Sequence, residues 1–425
     1  MPVRRLFCLW LLVCLTVAGA ARAEDWPHWR GPHYDGIAKA SGLPVEWSET
    51  KNVVWKLKLP GMSGATPVVW GDKLFLTSAD GESVVLLCVS KEGKQLWKRP
   101  LSQGNRLFRE DEGNQASPSP STDGKHVFTF TGTGDCACFT VDGQEVWKFN
   151  AQERYGRFRI QHGMHITPLL HGDRLYLALL HSGGWHVIAL DKATGKEVWK
   201  VKRDTDARAE CEQAYASPVL GRNGKEEYVI VHGCDYTTAH RLTDGSELWR
   251  LADLNPQGQN YHRTLRFVAT PVVAEGLVIV PTAKNNQVVA MKTDAQGLIK
   301  TGSPGELWRK PRITPDVPSP LVHDGLVYLC KENGVLICLD AKTGQQHYQE
   351  RLHGARYRAS PVYADGKIYC CARDGTVSVV QAGPKFQLLG KSKLPDELAA
   401  SPTIAHDRLY LRTFGALYAI GLPGK

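Results

Sequence analysis

Short runs of alternating apolar and polar residues recur along the chain, separated by Gly-Asp, Asp-Gly or Gly-Gly turns. The clearest example begins at Pro168: the first run ends at Gly172-Asp173, Leu175 to Leu180 follows, and Gly183-Gly184 leads into His186 to Asp191. Alternation with a period of two between such turns indicates β-strands, and glycine permits the positive φ that short hairpins need. Each unit therefore predicts a small antiparallel sheet.

The units open on a Ser-Pro or Thr-Pro pair that recurs eight times, with successive prolines 41 to 53 residues apart. This spacing is typical of one four-stranded blade of a β-propeller. We therefore predict an all-β fold, an eight-bladed β-propeller of four-stranded antiparallel blades. The openings are Thr66-Pro67, Ser117-Pro118, Thr167-Pro168, Ser217-Pro218, Thr270-Pro271, Ser319-Pro320, Ser360-Pro361 and Ser401-Pro402.

One large side chain recurs near the end of each unit, where the sixth unit has Tyr348 and the seventh Leu389. Such a side chain can fill the wedge between adjoining blades, and its burial is worth roughly 1.5 to 3 kcal/mol or more. We interpret the tryptophans as structural blade-docking residues; the alternative is that they stack on a ligand. They are Trp55, Trp97, Trp147, Trp199, Trp249 and Trp308.

The last unit is too short to form a complete blade. Only 23 residues follow Pro402, enough for strands at Leu409 to Arg412 and Leu417 to Ile420 but not for a fourth strand. Near the N-terminus, Val53 to Leu57 has the Trp-Lys pattern of an outer strand without the three strands that normally precede it. We predict that this N-terminal strand completes the last blade and closes the ring.

The first 23 residues have the three-part layout of a secretory signal. Arg4 and Arg5 precede the apolar run Leu6 to Val17, and Ala21-Arg22-Ala23 suits cleavage near Ala23. We expect a signal peptide at 1–23, an N-terminal extension at 24–52, the propeller at 53–425, and a periplasmic or secreted protein. No later apolar run is long enough to cross a bilayer, and no cysteine suits a lipid anchor.

The charge balance excludes few classes of partner. Without the signal's arginines, 49 basic residues face 43 acidic ones, with no long basic block or nucleic-acid motif. Together with export, this argues against nucleic acid and leaves a protein or an extended anionic ligand as the expected partner. Nine cysteines remain, an odd number, and most stand in apolar alternating segments, so we expect buried thiols.

Catalytic motifs are absent from the sequence. It contains no Gly-x-Ser-x-Gly elbow, no His-Glu-x-x-His and no phosphate-binding glycine loop. His162 and His165 form the most interesting histidine pair, but no further ligand accompanies them. We therefore predict no catalytic residue and no metal site.

The longer links between units combine arginine with aromatic residues, and a propeller gathers such links on one face. A guanidinium can both stack and form paired hydrogen bonds, which suits recognition of carboxylates, phosphates, sugars or peptides. The alternative is pairing with nearby acids, among them Glu110, Asp111, Glu112, Asp204, Asp206 and Glu212. The predicted binding residues are Arg154, Arg157, Arg159, Tyr261, Arg263, Arg266, Arg356 and Arg358.

Three segments carry a resemblance to a known family. Ala189 to Trp199, with Asp191 and Ala193-Thr194-Gly195 inside it, resembles the tryptophan-docking motif of the pyrroloquinoline-quinone (PQQ) propellers, and Cys338 to Gly344 resembles its first half. The leader Asp25 to Pro32 is similar to the start of family members. The resemblance extends over residues 25–422 and implies a PQQ-like propeller, nearest in kind to the non-enzymatic BamB-like members.

The resemblance implies two different kinds of function, because the family contains both quinoprotein dehydrogenases and binding propellers. A dehydrogenase needs PQQ held by adjacent cysteines, with calcium and a carboxylate base. Cys370-Cys371 supplies such a pair, but on one strand, where neighbouring side chains point to opposite faces. No calcium or base position can be matched.

We therefore expect an extracytoplasmic binding or scaffold propeller without a cofactor, acting in cell-envelope or outer-membrane protein assembly. A PQQ- and calcium-dependent dehydrogenase is one alternative. A saccharide-binding or sensor propeller, recognising its ligand through the arginines and aromatics of the loop face, is the other.

Overall fold

The alternating segments form eight antiparallel sheets arranged as the blades of a β-propeller. The computed structural model describes residues 24–108, 113–224 and 226–423. The predicted signal peptide at 1–23 lies outside these residues. The predicted fold class is confirmed, and the described residues contain almost no helix.

The first strand belongs to the last blade, and blades 1 to 4 follow it in chain order. Blade 1 is followed by the short hairpin β6–β7, blade 2 by the helix α1, and blades 3 and 4 by 3₁₀ turns at Ala209–Glu212 and Gly258–Asn260. The strands and helix are β1 Val53–Lys58; β2 Val68–Trp70, β3 Lys73–Asp80, β4 Ser83–Ser90, β5 Gln95–Gln103; β6 Leu107–Phe108, β7 Gly113–Asn114; β8 Ser121–Thr122, β9 His126–Phe130, β10 Asp135–Thr140, β11 Glu145–Asn150; α1 Ala151–Tyr155; β12 Leu169–His171, β13 Arg174–His181, β14 Gly184–Asp191, β15 Glu197–Lys202; β16 Val219–Asn223, β17 Glu226–Gly233, β18 Tyr236–Arg241 and β19 Glu247–Leu251.

Blades 5 to 8 complete the ring. The connection between the third strand of blade 5, β22, and its outer strand β24 contains one extra strand, β23, which joins the sheet of blade 4. The strands are β20 Val272–Ala274, β21 Leu277–Val280, β22 Val288–Lys292, β23 Gly297–Ile299, β24 Glu306–Lys310; β25 Leu321–His323, β26 Leu326–Cys330, β27 Val335–Asp340, β28 Gln346–Arg351; β29 Val362–Ala364, β30 Lys367–Cys371, β31 Thr376–Gln381, β32 Leu388–Lys393; β33 Thr403–Ala405, β34 Arg408–Arg412 and β35 Ala416–Ile420.

The N-terminal strand β1 closes the ring, as predicted. It pairs antiparallel with β35, from Val53 opposite Ile420 to Lys58 opposite Ala416, so that blade 8 has the order β1-β35-β34-β33. The first and last strands of the propeller thus share one sheet, and the edge that β35 would otherwise expose is covered.

The core lies in the wedges between neighbouring blades. Middle strands such as β4 are buried on both faces, whereas outer strands such as β1 alternate between half-buried and exposed positions. One apolar cluster joins Tyr328 and Cys338 of blade 6 to Ile368 of blade 7. A blade therefore buries its apolar surface only against its neighbours, and the ring must close to complete every wedge.

The recurring tryptophans lie in these wedges. The indole nitrogen of Trp147 donates to the carbonyl of Lys192 at 2.9 Å, and the ring packs on Gly195 of the same turn in the next blade. A Cβ on that glycine would lie 2.8 Å from the indole, and its φ is +66°, so the position requires glycine. Trp55, Trp97, Trp199 and Trp308 donate to the next blade in the same way.

Trp249 departs from this pattern because the corresponding turn of blade 5 is longer. That turn contains β23, which pairs in parallel with β19 as a fifth strand of blade 4. Trp249 is 2% exposed and packs edge-on against Tyr228, and its indole nitrogen has no partner among the described residues. The inserted strand takes the place of the usual turn contact.

The nine cysteines of the predicted mature chain are all described, and each is a buried free thiol. Burial raises the pKa of several of them; for Cys88 and Cys234 it reaches about 12. In the described part of the chain no helix is long and apolar enough to cross a membrane.

The role of β1 in closing the ring can be tested by measuring stability. Trp55→Ala should lower the free energy of unfolding by at least about 2 kcal/mol, because the indole packs on Gly93 and donates to Lys91 of blade 1 at 2.7 Å. Deletion of residues 24–58 should abolish cooperative unfolding, because blade 8 then loses its outer strand. Urea titration followed by circular dichroism measures both effects.

Val54→Ala is the matched control. Val54 lies beside Trp55 on the same strand but is 42% exposed, so its truncation should change stability by less than about 0.5 kcal/mol. Equal effects of the two substitutions, or a deletion variant with the wild-type unfolding curve, would contradict this role for β1.

Candidate functional site

The links between blades and the turns between second and third strands meet at one end of the ring, which we call the linker face. Direct contacts tie them together: the amide of Ser182 donates to Arg159 at 3.1 Å, that of Glu210 to Arg263 at 3.1 Å, and that of Tyr357 to Glu332 at 2.9 Å. Segments distant in sequence therefore form one continuous surface.

A cavity of about 710 Å³ opens on the linker face and runs along the propeller axis. Its wall is formed by the residues that open each blade, whose side chains form what we call the hydroxyl ring. The ring consists of Thr66, Ser119, Thr167, Ser217, Thr270, Ser319, Ser360 and Ser401. Since every blade contributes one hydroxyl, the wall is polar around its whole circumference.

Seven of the eight ring residues, Thr66 to Ser360, are bonded to the ring residue of the next blade. The backbone amide of Thr66 donates to the hydroxyl of Ser119 at 2.9 Å, and the same contact repeats from blade to blade at 2.9 to 3.1 Å until Ser360 donates to Ser401. Between blades 8 and 1, the hydroxyl of Thr403 donates to the carbonyl of Pro67 at 2.6 Å. The opening Ser or Thr hydroxyl of blades 2 to 8 thus accepts a hydrogen bond from the strand end of the preceding blade.

In blade 2 the opening residue differs from the predicted one. The sequence reads Ser117-Pro118-Ser119-Pro120, and Ser119, not Ser117, occupies the ring position. The hydroxyl of Ser117 instead accepts the amide of Asn114 at 2.9 Å, which holds the turn after β7. The extra dipeptide is accommodated in the link, so the blade itself keeps its register.

The N-terminal segment crosses the other end of the axis. Trp26 pairs with Val69 of blade 1, and the amide of Ala38 donates to Tyr363 of blade 7 at 2.9 Å. Between them, Trp29 lines the cavity. The segment therefore lies across the channel at this end, opposite the linker face.

Arg30 anchors this crossing. Its guanidinium donates to the carbonyls of Pro320 at 2.7 Å and Pro361 at 2.9 Å, which belong to two different blades. Burial lowers the pKa of Arg30 to about 10, although Asp35 opposes the shift. A Cβ on Gly36 would lie 2.8 Å from the guanidinium, so glycine is needed for the arginine to reach these carbonyls.

Charged residues surround the cavity mouth in ion pairs. Arg266 pairs with Glu210 at 2.8 Å, while Arg356 and Arg358 share the carboxylate of Glu332 at 2.8 and 3.4 Å. Lys284 and Asp316 also line the mouth. Cations and carboxylates thus alternate in the described part of this lining.

His165 lies on the cavity wall between two glycines. Its ring fits between Gly113 and Gly163, where an added Cβ would come within 2.5 and 2.7 Å of it, and it contacts Phe108. Burial, and secondarily the neighbouring His162, lowers the pKa of His165 to about 4, so it is neutral at pH 7. Its Nε2 has no hydrogen-bond partner among the described residues.

Three of the predicted binding residues, Arg266, Arg356 and Arg358, line the cavity mouth. Arg157, Arg159 and Arg263 are exposed on the linker face outside the cavity. The structure therefore brings six of the eight residues to one face, in two groups.

The other two predicted residues are engaged elsewhere. Arg154 lies over the ring of Phe149 at 3.5 Å and donates to Gly195 of blade 3 at 2.8 Å, in the groove between two blades. Tyr261 donates to Asp235 at 2.6 Å and accepts the amide of Arg208 at 2.8 Å. These contacts stabilise the links themselves.

Among the described residues, the acids that pair with the cavity arginines are not among the acids that the sequence suggested. Asp204 pairs with Lys202 at 2.6 Å, and Asp206 accepts from Tyr236 at 2.8 Å, while Glu110, Asp111 and Glu112 lie outside the described residues. The described acids that pair with the cavity arginines are Glu210 and Glu332. Spacing along the sequence could not single them out, because Glu210 lies 56 residues from Arg266.

A second cavity of about 770 Å³ lies on the opposite face, between the N-terminal segment and the first turns of blades 1 to 5. Trp70, 39% exposed, forms part of its lining. Its charged groups are engaged within the protein: His171 contacts Glu227 at 2.8 Å and Asp123 contacts Lys192 at 3.0 Å.

The geometry does not fit a PQQ cofactor held by adjacent cysteines. Cys370 lies in the apolar cluster of blades 6 and 7 and Cys371 in that of blades 7, 8 and 1, both at most 1% exposed, and neither lines the cavity. The two thiols therefore cannot cover one face of a flat ring. In the described part of the chain, no group of three or more His, Cys, Asp or Glu side chains is placed to hold a metal.

A family model for the outer membrane protein assembly factor BamB matches residues 83–329 and 297–420, nearly the whole propeller. The chain belongs to this family. The BamB-like propeller is 24% identical to the outer membrane protein assembly factor BamB of Yersinia pestis over 329 residues, which is 73% of each chain. The predicted resemblance to the PQQ-like propellers of the BamB type is thereby confirmed.

Solved structures show the same fold at low identity. BamB from Moraxella catarrhalis superposes with a TM-score of 0.62 at 14% identity, over 87% of this chain and 99% of that one. Quinohemoprotein alcohol dehydrogenase from Comamonas testosteroni gives 0.71 at 12% identity, over 96% and 82%. A europium-containing methanol dehydrogenase gives 0.68 at 11%, over 94% and 98%. Binding propellers and enzymes share this architecture, so the fold leaves function open.

We expect the loss of one hydroxyl of the hydroxyl ring to destabilise the fold. Ser217→Ala should lower the free energy of unfolding by about 1 to 3 kcal/mol, because the buried amide of Thr167 then loses its acceptor. Ser83→Ala is the control, since the Ser83 hydroxyl bonds only to Gln103 in an exposed contact at 3.2 Å and should matter by less than about 0.5 kcal/mol. Urea unfolding of both variants measures the difference, and equal effects would contradict a structural role for the ring.

Proposed function

We propose that this BamB-like propeller is an extracytoplasmic, non-catalytic scaffold that docks an acidic partner on its linker face during outer-membrane protein assembly. The observation that carries the proposal is the group of exposed arginines Arg157, Arg159 and Arg263, which come from the links after blades 2 and 4 and make no ion pair to a described residue. Guanidinium groups left in solvent on a rigid surface suit carboxylate recognition.

Two neighbouring features support docking at this place. Arg208 lies over the ring of Tyr261 at 4.2 Å, which adds a third link to the basic surface next to Arg263. The links are held by backbone contacts to one another, so the arginines stand on a pre-ordered surface and binding would order little backbone. The matched family and its curated relative are named for outer-membrane protein assembly, which favours a protein partner.

A direct binding experiment tests the basic surface. A fluorescein-labelled oligoglutamate peptide should bind the protein at low salt and dissociate as salt rises, because exposed charges are screened. Arg157→Ala, Arg159→Ala and Arg263→Ala together should weaken binding at least about tenfold, measured by fluorescence anisotropy.

The control removes three exposed cations from the opposite face: Lys94→Ala, Lys196→Ala and Lys342→Ala, all in turns between third and fourth strands. This variant has the same net charge as the triple arginine variant and should bind within about twofold of wild type. Equal weakening by both triple variants would mean that net charge, and not the linker face, attracts the peptide.

Crosslinking in intact cells tests the assembly role. A component of the outer-membrane assembly machinery should crosslink to the wild-type protein and to the lysine variant but not to the arginine variant. If such a component crosslinks equally to all three, or if none crosslinks to the wild type, the proposed docking surface is wrong.

A cofactor assay separates the scaffold from the dehydrogenase alternative. Purified protein supplied with PQQ and Ca²⁺ should show no dye-linked oxidation of ethanol or glucose above the cofactor background, and Cys370→Ser should alter only stability. A quinoprotein alcohol dehydrogenase serves as the positive control. Turnover that needs both cofactors and is lost in Cys370→Ser would overturn the proposal.

A further inference from the structure

An exposed tryptophan forms one wall of the second cavity, on the face opposite the linker face. Trp70 ends the first strand of blade 1 and is 39% exposed. At the same position the first strands of blades 5, 7 and 8 end on Ala274, Ala364 and Ala405, so the fold does not require a large side chain there. Blade packing therefore does not account for Trp70.

The indole of Trp70 lies flat against the next blade. A Cβ added to Gly124, in the first turn of blade 2, would meet the indole Cε2 first and then Nε1 and Cζ2, all within 2.7 Å. Because Cε2 is an atom at the fusion of the two rings, the glycine lies under the face of the indole and not at its edge. The opposite face is turned away from blade 2. A flat aromatic face of this kind can cover the C–H face of a sugar ring or an organic cation.

His28 supplies a hydrogen-bonding group beside the same turn. The carbonyl of Pro27 accepts the amide of Thr122 at 3.0 Å, which places His28 next to the first turn of blade 2. The imidazole is 8% exposed, lines the cavity and stacks on Tyr34 with the ring centroids 4.3 Å apart. Its Nδ1 is enclosed and has no hydrogen-bond partner among the described residues.

The surroundings of His28 decide which ring nitrogen carries its proton. Burial, and secondarily His171, lowers the pKa of His28 to about 3, so the ring is neutral at pH 7 and has one N–H. On Nδ1 this proton would be enclosed without an acceptor, which is unfavourable. Nε2 makes no hydrogen bond to a described residue either, but it is not enclosed. The proton therefore belongs on Nε2, where it is a donor for an occupant of the cavity.

The charged groups of the lining are engaged within the protein. Arg222, the one Lys or Arg of the described lining, donates to Glu227 at 3.1 Å, and Glu275 accepts the amide of Gly325 at 2.9 Å. An ionic ligand would compete with these contacts, whereas a neutral one leaves them intact.

Donor and acceptor groups in the lining together narrow the ligand class. Asp35 accepts the amide of Ile37 at 2.9 Å and also lines the cavity; since a carboxylate can accept about four hydrogen bonds, it has capacity for a ligand hydroxyl. An anion would be repelled by Asp35, and an organic cation could not accept from His28. A hydroxyl both donates and accepts, so a polyhydroxylated neutral molecule suits both side chains.

We propose that the second cavity binds a neutral oligosaccharide, with one sugar ring stacked on Trp70 and hydroxyl groups of the chain at His28 and Asp35. The cavity volume of about 770 Å³ lies in the upper part of the range of ligand sites, roughly 300 to 1,000 Å³, which favours an oligosaccharide over a single sugar. The site does not depend on the docking of an acidic partner at Arg157, Arg159 and Arg263.

Isothermal titration calorimetry on the mature protein tests the ligand class. The neutral probes are maltotriose, cellotriose and chitotriose, which differ in linkage and in their acetamido groups. Trigalacturonate is the charged sugar and choline the organic cation without a sugar ring. At least one neutral trisaccharide should bind at least about tenfold more tightly than trigalacturonate and than choline. Failure of all three neutral probes to bind, or binding of choline or trigalacturonate as tight as that of the best of them, overturns the proposal.

Truncation of the indole tests the stacking contact. Trp70→Ala should weaken the best trisaccharide at least about tenfold, and Trp70→Phe, which keeps an aromatic face, should weaken it less. Leu96→Ala is the matched control, because Leu96 is an exposed apolar side chain of the same blade, 49% exposed, outside the cavity lining. It should bind as wild type does. Wild-type affinity in Trp70→Ala, with folding checked by circular dichroism, contradicts the site.

Replacement of the imidazole separates binding from stability. His28→Phe keeps a ring that can stack on Tyr34 but removes both nitrogens, so trisaccharide binding should weaken several-fold. The melting temperature should stay the same or rise, because a buried polar atom without a partner is lost. His347→Phe is the control, since His347 is exposed on the outer strand of blade 6, outside the lining. Unchanged binding in His28→Phe would show that His28 does not contact the ligand, contrary to the proposal.

Two crossed measurements distinguish this site from the linker face. The triple arginine variant should bind the trisaccharide as wild type does, and Trp70→Ala should bind the oligoglutamate peptide as wild type does. Loss of sugar binding in the triple arginine variant would place the sugar on the linker face and overturn this location. Failure of the peptide experiment alone would leave the sugar result unaffected.

Discussion

The inner strands of a propeller converge on the axis, where each leading strand end has a backbone N–H that its own sheet leaves unpaired. Here that donor is satisfied by the hydroxyl of the next blade's opening residue, at 2.9 to 3.1 Å, in seven successive blade contacts. Because a buried amide without an acceptor costs about 1 to 3 kcal/mol, each repeat needs a short hydroxyl side chain there. The proline that follows then starts the strand without needing an acceptor of its own. One requirement thus sets the repeat, the spacing of the blades and the polarity of the channel.

The sequence could reveal most of the fold because the repeated contacts are similar from unit to unit. A Ser/Thr-Pro opening, two glycine turns and a tryptophan recur, so the pattern identified eight blades and the orphan strand at Val53 that closes them. The pattern could not show which of Ser117 and Ser119 opens blade 2, because both precede proline. Only the hydrogen bonds to the neighbouring blades identify Ser119 as the ring residue. The pattern also could not show β23, because a three-residue parallel strand inside a long turn carries no periodicity.

The candidate site was less accessible to sequence reasoning, because its parts are assembled by contacts across the ring. The propeller topology places the arginine-rich links on one face. Whether each guanidinium is exposed or engaged within the protein depends on which groups lie next to it in the folded chain. Arg154 is only three residues from Arg157, yet it turns into the groove between blades while Arg157 stays exposed. Arg30 bonds to carbonyls 290 and 331 residues away, so nothing in the leader indicated that it closes the channel.

The cavity mouth and the exposed arginines Arg157, Arg159 and Arg263 lie side by side on the linker face, because the N-terminal segment covers the other end of the channel. The N-terminal segment lies across the far end, and Arg266, Arg356 and Arg358 line the cavity, so an occupant of the cavity would lie beside these side chains. A protein docked on Arg157, Arg159 and Arg263 would stand beside this mouth, because Arg263 and Arg266 belong to one link. Any contact between the two occupants would make their affinities interdependent, and linkage requires that each alter the other's binding by the same factor. The buried guanidinium of Arg30, held by carbonyls of two blades, fixes the N-terminal segment across the opposite end of the axis, so the two occupants would meet on the linker face.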